Sequence, residues 1–398
     1  MMGCLSFANS KFKVCFYMYL WHKFFMSVYL DNNATTPLKE SVKKAIMDGL
    51  DAYGNPSSAH QHGQKARMML DEARRQVAQM FGVRAEQVVF TGSGSEANNL
   101  ALRGYFAKNP HKTLVISAVE HSCVHQTALA LHEDFGVDVH ILPVDKNGIV
   151  DLADLELTLQ KKDVGLVSVM HANNETGVIQ PIENIASCLQ GKNIVFHVDA
   201  VQTAGKIPTT LSGIGADIAT LSFHKIGGPK GVGAVILSPE VELSAHVTGG
   251  SQERNRRAGT ENMLGIIGAG LCAAENASSI DAMQHKIAPL RNLMEAELKK
   301  LSNELVIIGE DAARVPNTSS IVLPGVEGET AVMMLDIAGY AVSTGSACSS
   351  GRVEPSRIIL AMGYGTEEAL RVIRVSLGWK TTKEDVLGFV AAIKKIIT

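Results

Sequence analysis

Side chains that could do chemistry stand directly after five apolar, strand-like segments of this 398-residue chain. In an open α/β sheet, ligands bind beyond the carboxyl ends of the strands, so these side chains should gather at one edge. They supply hydroxyls, imidazoles, amides, carboxylates and a lysine, a set typical of an enzyme site. In chain order they are Gly92–Ser95, Glu120 and His121, the segment 171–175 (HANNE), Asp199 and Gln202, and His224 and Lys225.

The turn Gly92–Ser95 lies between a predicted strand and a predicted helix and has the character of a phosphate cradle. Small residues let the backbone approach a phosphate, and a helix N-terminus offers unpaired N–H groups. The patterns GxxxxGK[ST] and GxGxxG are both missing, which argues against a P-loop and against a nucleotide-binding dehydrogenase. Taken alone, the turn is equally compatible with a tight strand–helix connection.

Lys225 and Asp199 indicate which phosphate compound would bind. A lysine at a strand end can form a Schiff base when burial lowers its pKa. An aspartate nearby could keep a pyridine nitrogen protonated, as expected for pyridoxal phosphate (PLP). Lys230, in GGPKG, is the rival lysine, but its flanking glycines indicate a solvated, loosely held side chain. Taken singly, Lys225 would more often be a surface lysine and Asp199 a turn or cap residue.

The elements that must position these residues alternate between apolar strands and amphipathic helices. This alternation predicts an α/β fold with a mostly parallel, doubly wound sheet, and the nearly continuous apolar strands indicate that both of its faces are buried. One helix, starting near Ala59, is predicted to stop at Gly82. The predicted strands of this sheet are 87–90, 113–117, 137–143, 165–170, 193–198, 217–223 and 233–238.

After about Gly270 the rhythm changes, and we predict a second, smaller α/β domain. Its elements are a long polar helix at 281–302, short strands near 305–308, 318–323 and 371–377, and a last helix with a capping box at Thr381 and Glu384. We expect the large PLP-binding domain to comprise residues 36–275, and the small domain to combine residues 27–35 with 276–398.

Residues 1–26 stand apart from this pattern. They are rich in aromatic residues, lack helical periodicity and a small-residue cleavage site, and hold no apolar run long enough to span a bilayer. We expect that Met26 is the true start, or that 1–26 is an appended, poorly ordered segment. A peptide covering Ser10 to Lys23 in the purified native protein would exclude the first version.

The overall composition is that of an ordinary globular protein. The chain is 46% apolar and 19% charged, with a net charge of −3, which gives no general attraction to nucleic acid or membranes. Its six cysteines contain no CxxC pair, so we expect reduced thiols and a cytoplasmic location. Cys348 lies in TGSACSSG, a small-residue segment that is poor core material; by itself it could be an incidental thiol on a flexible turn.

Several motifs together resemble a known family. VDAVQTAGKIP followed by SFHKIGGPKGVG resembles the cofactor-binding core of the class V aminotransferases, which are fold-type I PLP enzymes. From Val28 to the C-terminus, eight further motifs in order resemble cysteine desulfurases, and the Cys348 loop resembles the group that supplies iron–sulfur cluster assembly. These motifs are YLDNNATTP, GNPSSAHQHGQKAR, FTGSGSEANN, VEHSCV, MHANNETG, ERNRRAGTEN, TGSACSSG and IRVSLG.

The resemblance implies a role for each matching residue around PLP. Lys225 would carry the cofactor as an internal aldimine and transfer protons, and Asp199 would pair with the pyridinium. Gln202 would hydrogen-bond the phenolate, and His121 would stack on the ring and exchange a proton with the substrate. Thr260 would reach the phosphate of a neighbouring subunit, which implies a homodimer with shared sites. The phosphate ligands within one chain would be Gly94, Ser95, Ser222 and His224, with Ser95 replacing the threonine of many relatives.

The resemblance also implies the reaction. Arg374 would hold the α-carboxylate of L-cysteine, and Asn174 would lie near both that carboxylate and the cofactor. Cys348 would take the sulfur as a persulfide, leaving L-alanine, and pass it to an acceptor such as an iron–sulfur scaffold protein. A tRNA-thiolation relay or a dedicated metalloenzyme pathway would be a compatible acceptor, and transient iron–sulfur ligation by Cys348 is also allowed. No resident metal ion is implied.

Alternative functions stay open within and outside this fold. A selenocysteine lyase or another class V activity on a different amino acid would use the same cofactor residues. A non-catalytic sulfur-relay scaffold is a further alternative, against which intact Lys225, Asp199, His121 and Cys348 argue.

Overall fold

A computed structural model describes residues 27–277, 280–345 and 354–398. The residues 1–26, whose role we predicted above, lie outside the described part. The strands are β1 (Val28–Tyr29), β2 (Val88–Thr91), β3 (Thr113–Ser117), β4 (Val139–Leu142), β5 (Val164–Ser168), β6 (Val195–Asp199), β7 (Ile218–Ser222), β8 (Gly233–Leu237), β9 (Val306–Ile307), β10 (Thr318–Val322), β11 (Tyr340–Ala341) and β12 (Val372–Ser376).

Seven of these strands form the central sheet, in the order β2-β8-β7-β6-β5-β3-β4. The five strands from β7 to β4 are parallel to their neighbours, and β8 is antiparallel to both β7 and β2. Every residue of β3, β5, β7 and β8 is buried, because helices cover both faces of the sheet. The mostly parallel α/β sheet that the sequence predicts is confirmed.

The helices connect and cover these strands. They are α1 (Glu40–Asp48), α2 (Gln61–Phe81), α3 (Gly94–Phe106), α4 (Ser122–Phe135), α5 (Leu152–Lys161), α6 (Ile182–Leu189), α7 (Met263–Ala277), α8 (Ile280–Lys299), α9 (Gly328–Ile337), α10 (Arg357–Ala361), α11 (Thr366–Leu370) and α12 (Lys383–Ile397). Helix α2 ends where the sequence predicts, because Gly82 adopts the left-handed conformation (φ 65°) that closes a helix C-terminus.

The C-terminal part has its own core and its own antiparallel sheet, in the order β12-β10-β9. Leu30 packs into this core with side chains such as Ile287, Phe389 and Ile393. The strand β1 pairs in parallel with β11, so the segment near residue 28 joins the C-terminal part. These separate cores support the division into two domains, whose boundaries stay a prediction.

The start of α12 corrects one detail. The capping box lies at Thr382 and Asp385, one residue beyond the predicted Thr381 and Glu384. Thr381 is engaged elsewhere, because its hydroxyl accepts a hydrogen bond from the backbone N–H of Gly378 at 2.9 Å and closes a buried turn. No helix in the described ranges has both the length and the apolar character to cross a membrane.

Candidate functional site

Lys225 stands in a short 3-10 turn, Phe223–Lys225, that directly follows β7. Its Nζ donates to the backbone carbonyls of Asn33 at 2.7 Å and Ala34 at 2.9 Å. Burial, followed by repulsion from Arg374, lowers the pKa of Lys225 to about 8. A substantial share of this amine is therefore neutral under mildly alkaline conditions, as Schiff-base formation requires. The rival Lys230 is exposed.

Asp199 is the last residue of β6, so its carboxylate emerges at the carboxyl edge of the sheet. The side-chain amide of Asn98 donates to Asp199 Oδ2 at 2.7 Å, and the backbone N–H of Val201 donates to Oδ1 at 3.0 Å. Asn98 is itself oriented by the hydroxyl of Thr220, which donates to its Oδ1. Both carboxylate oxygens are thus held in place by donors.

His121 caps the N-terminus of α4. The backbone N–H of Cys123 donates to His121 Nδ1 at 3.2 Å, so the neutral ring carries its proton on Nε2. Burial lowers the pKa of His121, and the charges of Asp199 and Lys225 also act on the ring, which places the three groups in one site. The Cys123 thiol lies 3.0 Å from Nδ1, but burial raises its pKa to about 12 and keeps it protonated.

The predicted phosphate cradle lies where α3 begins. The hydroxyl of Ser93 accepts from the N–H of Glu96 and so caps this helix. A Cβ on Gly94 would lie only 3.1 Å from the Cβ of Ser222 and 3.2 Å from a methyl of Val201, so a larger residue here would have to push these neighbours aside by a few tenths of an ångström. The structure thereby brings Gly94 and Ser222 together at the start of a 13-residue helix.

The next two predicted phosphate ligands are His224 and Ser95. His224 Nδ1 lies 3.1 Å from the hydroxyl of Thr35, and burial lowers the pKa of His224 to about 4, so the ring is neutral. Ser95 is exposed in the first turn of α3. Thr260 is exposed, and among the described residues no side-chain hydrogen bond ties it to the site.

Arg374 lies in the middle of β12 with 4% of its surface exposed. Its Nη2 donates to Asp31 Oδ1 at 2.8 Å, and its Nη1 donates to the backbone carbonyl of Asn174 at 3.3 Å. The buried Nε has no hydrogen-bond partner among the described residues. A buried donor without an acceptor costs ~1–3 kcal/mol, so the arrangement favours a bound acceptor such as a carboxylate.

The predicted role of Cys348 concerns a residue outside the described part of the chain, because the structure describes neither it nor its neighbours from 346 to 353. The residues on either side are tied to the site. Before it, Ser343 pairs with Arg374 through two backbone hydrogen bonds of 2.6 and 3.2 Å. After it, the guanidinium of Arg357 donates to the backbone carbonyl of Glu120, the residue before His121.

Sequence reasoning missed three residues that hold the site together: Asn33, Asn98 and Lys206. Asn98 orients Asp199, as described above, and the carbonyl of Asn33 accepts hydrogen bonds from Lys225 and from Gln202. All three lie inside quoted motifs (DNNATT, SEANN and AGKIP), which was the available signal. Nothing in their residue types marks them, because amides and lysines are common on surfaces.

The residues present fit PLP. This cofactor needs a lysine of lowered pKa, a strand-end carboxylate, an amide and a helix N-terminus, and the site offers all four, with a closely packed glycine at the helix start. This fold and this site define a fold-type I PLP enzyme.

Comparison with known proteins agrees with that class. The model of the class-V aminotransferase family matches residues 28–389, and the chain belongs to this family, whose members depend on PLP. The chain is 40% identical over 373 residues to "Cysteine desulfurase IscS" of Dictyoglomus turgidum (93% of this chain, 94% of that protein). It is 37% identical to "Cysteine desulfurase NifS" of Azotobacter vinelandii (93% and 92%).

Solved structures show the same likeness. A NifS-like protein superposes with a TM-score of 0.87 at 34% identity, covering 93% of this chain and 99% of that one. A structure described as SspA in complex with cysteine gives a TM-score of 0.77 at 29% identity, covering 88% and 98%.

Proposed function

We propose that this protein is a PLP-dependent cysteine desulfurase that converts L-cysteine to L-alanine and transfers the sulfur to Cys348. The observation that carries the proposal is the guanidinium of Arg374, buried in β12 with its Nε unpaired among the described residues. It offers a carboxylate a place in a site that also holds Lys225, Asp199 and His121. The names of the relatives support cysteine as the amino acid and a role connected with iron–sulfur clusters.

Arg374 binds the α-carboxylate of the substrate. Its Nη2 stays paired with Asp31, which fixes the plane of the guanidinium, and the Nε hydrogen completes its hydrogen bonding on the substrate. Asn174 holds the opposite edge through its carbonyl. This arrangement orients the amino group of the substrate toward Lys225.

Proton transfers fall to Lys225 and His121. When bound, PLP supplies an electron sink that stabilises negative charge at the α-carbon of the substrate. Lys225, with a pKa lowered to about 8, can accept the α-proton and return it. His121 is neutral and holds a proton on Nε2, which it can donate toward the substrate.

The sulfur transfer balances without an external oxidant. The thiolate of Cys348 attacks the substrate sulfur, and a sulfur–sulfur bond forms as the bond between the β-carbon and sulfur of the substrate breaks. The electron pair of that bond stays on the carbon and is protonated, which gives alanine. The anchoring of Ser343 beside Arg374 and of Arg357 beside Glu120 supports delivery of Cys348 to this site.

The assembly and its partners are part of the proposal. We infer a homodimer in which the exposed Thr260 reaches the phosphate site of the second subunit. The persulfide of Cys348 would pass its sulfur to an acceptor protein such as an iron–sulfur scaffold. We further propose a cytoplasmic location.

The test is turnover by the purified full chain loaded with PLP. With L-cysteine and a thiol reductant, we expect alanine and sulfide in equal amounts. Cys348→Ala should abolish both products while the absorbance of Lys225-bound cofactor near ~400 nm persists. Cys188→Ala, which removes a partly exposed thiol in α6, is the matched control and should keep full activity. An active Cys348→Ala variant would refute the proposal.

The same assay separates the alternative activities. Turnover of selenocysteine without turnover of cysteine would favour a selenocysteine lyase. A wild-type protein that binds PLP but releases no alanine would favour another class V activity, and a protein without the chromophore would favour a scaffold.

A further inference from the structure

Lys206 is a buried lysine that the proposed reaction does not use. Only 3% of its surface is exposed, and it lies four residues after Gln202 in a helix-like turn. Its Nζ donates to Gln202 Oε1 at 2.8 Å and to Asn33 Oδ1 at 3.0 Å. Both acceptors are neutral amide oxygens. A buried lysine normally has a carboxylate partner or a functional task, so this arrangement calls for a physical reason.

The chemistry of an ammonium group supplies the reason. An ammonium has hydrogen-bond donors and no acceptor, so it can face only the oxygen end of a side-chain amide. With Oε1 of Gln202 fixed on Lys206, the Nε2 end must point the other way. One Nε2 hydrogen is donated to the carbonyl of Asn33 at 3.1 Å, which leaves the second for another acceptor.

We propose that Lys206 is a positioning residue that locks the amide of Gln202 with its N–H edge toward the cofactor. The inference rests on the proposed function for one point, the hydrogen bond from Gln202 to the 3′-oxygen of PLP. Without Lys206 the amide could turn over and present its carbonyl oxygen to an anionic oxygen, which is repulsive. The orientation of Gln202 would then no longer be set by the protein.

A second hydrogen bond of Lys206 helps to orient another amide, that of Asn33. Asn33 Oδ1 accepts from Lys206, and this leaves the Asn33 amide nitrogen to donate to the Asn174 carbonyl at 3.0 Å and to the Thr318 hydroxyl at 2.8 Å. The backbone carbonyl of Asn33 receives Lys225 at 2.7 Å. Asn33 Oδ1 also accepts from the side-chain amide of Asn317 at 3.1 Å, so Lys206 orients the Gln202 amide and shares the orientation of the Asn33 amide with Asn317.

The charges around Lys206 are consistent with this role. Burial, then repulsion from Lys225 and Arg374, lowers the pKa of Lys206 to about 7. Near neutral pH a large share of the side chain is therefore an ammonium, and the neutral amine retains two N–H donors for the same two oxygens. An anionic cofactor oxygen near this cluster of cations is favoured over its protonated form.

The test is a spectrophotometric pH titration of the bound cofactor, which does not depend on turnover. Gln202 stabilises the deprotonated 3′-oxygen by a hydrogen bond, so Lys206→Met should raise the apparent pKa of the chromophore by about 1 pH unit. Lys39→Met is the matched control, because Lys39 lines the same ~400 Å³ cavity but pairs with Glu275 at 3.5 Å. It should titrate like the wild type.

A double variant decides whether Lys206 acts through Gln202. In a Gln202→Leu background, Lys206→Met should shift the chromophore pKa by less than about 0.3 pH unit, because the amide that it orients is gone. An equal shift in both backgrounds would show that only the charge of Lys206 matters and would overturn the positioning role. So would a single variant that titrates like the wild type.

Lys206→Gln guards against a folding defect in Lys206→Met. Its amide keeps a donor in the buried position, so it should shift the chromophore pKa in the same direction by a smaller amount; a shift as large as that of Lys206→Met would overturn the inference. A wild type that binds PLP and titrates but releases no alanine would refute the proposed function and leave this test intact. A wild type without the chromophore would overturn the cofactor assignment and this inference together.

Discussion

Replacing Arg374 by lysine tests the assignment of the substrate carboxylate site. Lysine keeps the positive charge but loses the planar fork that donates two parallel hydrogen bonds. In the structure, the fork is held rigidly by Asp31 at 2.8 Å and by the Asn174 carbonyl at 3.3 Å. A flexible ammonium in this pocket would satisfy Asp31 first, so the substrate carboxylate would lose its fixed partner.

The expected loss follows from the hydrogen bonds. Each hydrogen bond to a charged group contributes ~1.5–3 kcal/mol. A lysine held by Asp31 loses the hydrogen bond that Nε of Arg374 gives to the substrate carboxylate, so the net loss at the transition state is up to about 3 kcal/mol. That corresponds to a fall in kcat/KM of roughly 100-fold.

The assay compares sulfide release from L-cysteine with sulfide release from cysteamine, which lacks the carboxylate. Arg374→Lys should lower kcat/KM for L-cysteine and leave the reaction with cysteamine nearly unchanged. Arg371→Lys is the matched control, because this arginine directly precedes β12 and its side chain donates a hydrogen bond to the backbone carbonyl of Glu367, away from the substrate contacts. A kcat/KM for L-cysteine within threefold of the wild type in Arg374→Lys would refute the assignment.

Two further predictions concern buried charges outside the substrate contacts. Arg74→Met should lower the free energy of unfolding by ~3–5 kcal/mol in chemical denaturation. The reason is that the buried carboxylate of Glu253 loses its partner, since Arg74 holds it with two 2.7 Å hydrogen bonds. A loss below ~1 kcal/mol would contradict this prediction. Burial raises the pKa of Glu120 to about 8, so the folded state keeps a proton that the unfolded state releases above its pKa of 4.5. Stability contributed by Glu120 should therefore fall between about pH 5 and pH 8, by up to roughly 1 kcal/mol per pH unit, and Glu120→Gln should flatten that slope in denaturation curves.

The central sheet could be predicted from the sequence because its strands are buried on both faces. Such strands are continuous apolar runs, so β3 was predicted at its observed bounds and β7 within one residue at each end. The shorter strand β4 was predicted less accurately, because the run 137–143 contains only four strand residues, Val139–Leu142, at the edge of the sheet. In β4 only Leu142 is buried, so this strand lacks the second apolar face that makes the pattern readable.

The site was predictable where a residue follows a strand and unpredictable where it acts through another side chain. Asp199 and Lys225 are found beyond β6 and β7, as the position of ligand sites in α/β sheets requires. Lys206 gave no such signal, since its partners are two amides, one of which is 173 residues away. The spacing of four residues from Gln202 was the only local hint, and it has meaning only once both side chains are known to be buried.

One short segment sets the spacing between the two side chains that meet the ends of the substrate, Arg374 and Lys225. Asp31 holds the guanidinium of Arg374, and two residues later the carbonyl of Asn33 receives the amine of Lys225. The backbone N–H of Asn33 is tied to the hydroxyl of Ser376 on β12, the strand that carries Arg374. Because the carboxylate and the amino group of an α-amino acid are a fixed distance apart, the cation for one and the lysine for the other must keep their spacing. Anchoring both to neighbouring residues of one segment achieves this even though Arg374 lies in the C-terminal sheet and Lys225 follows a strand of the central sheet.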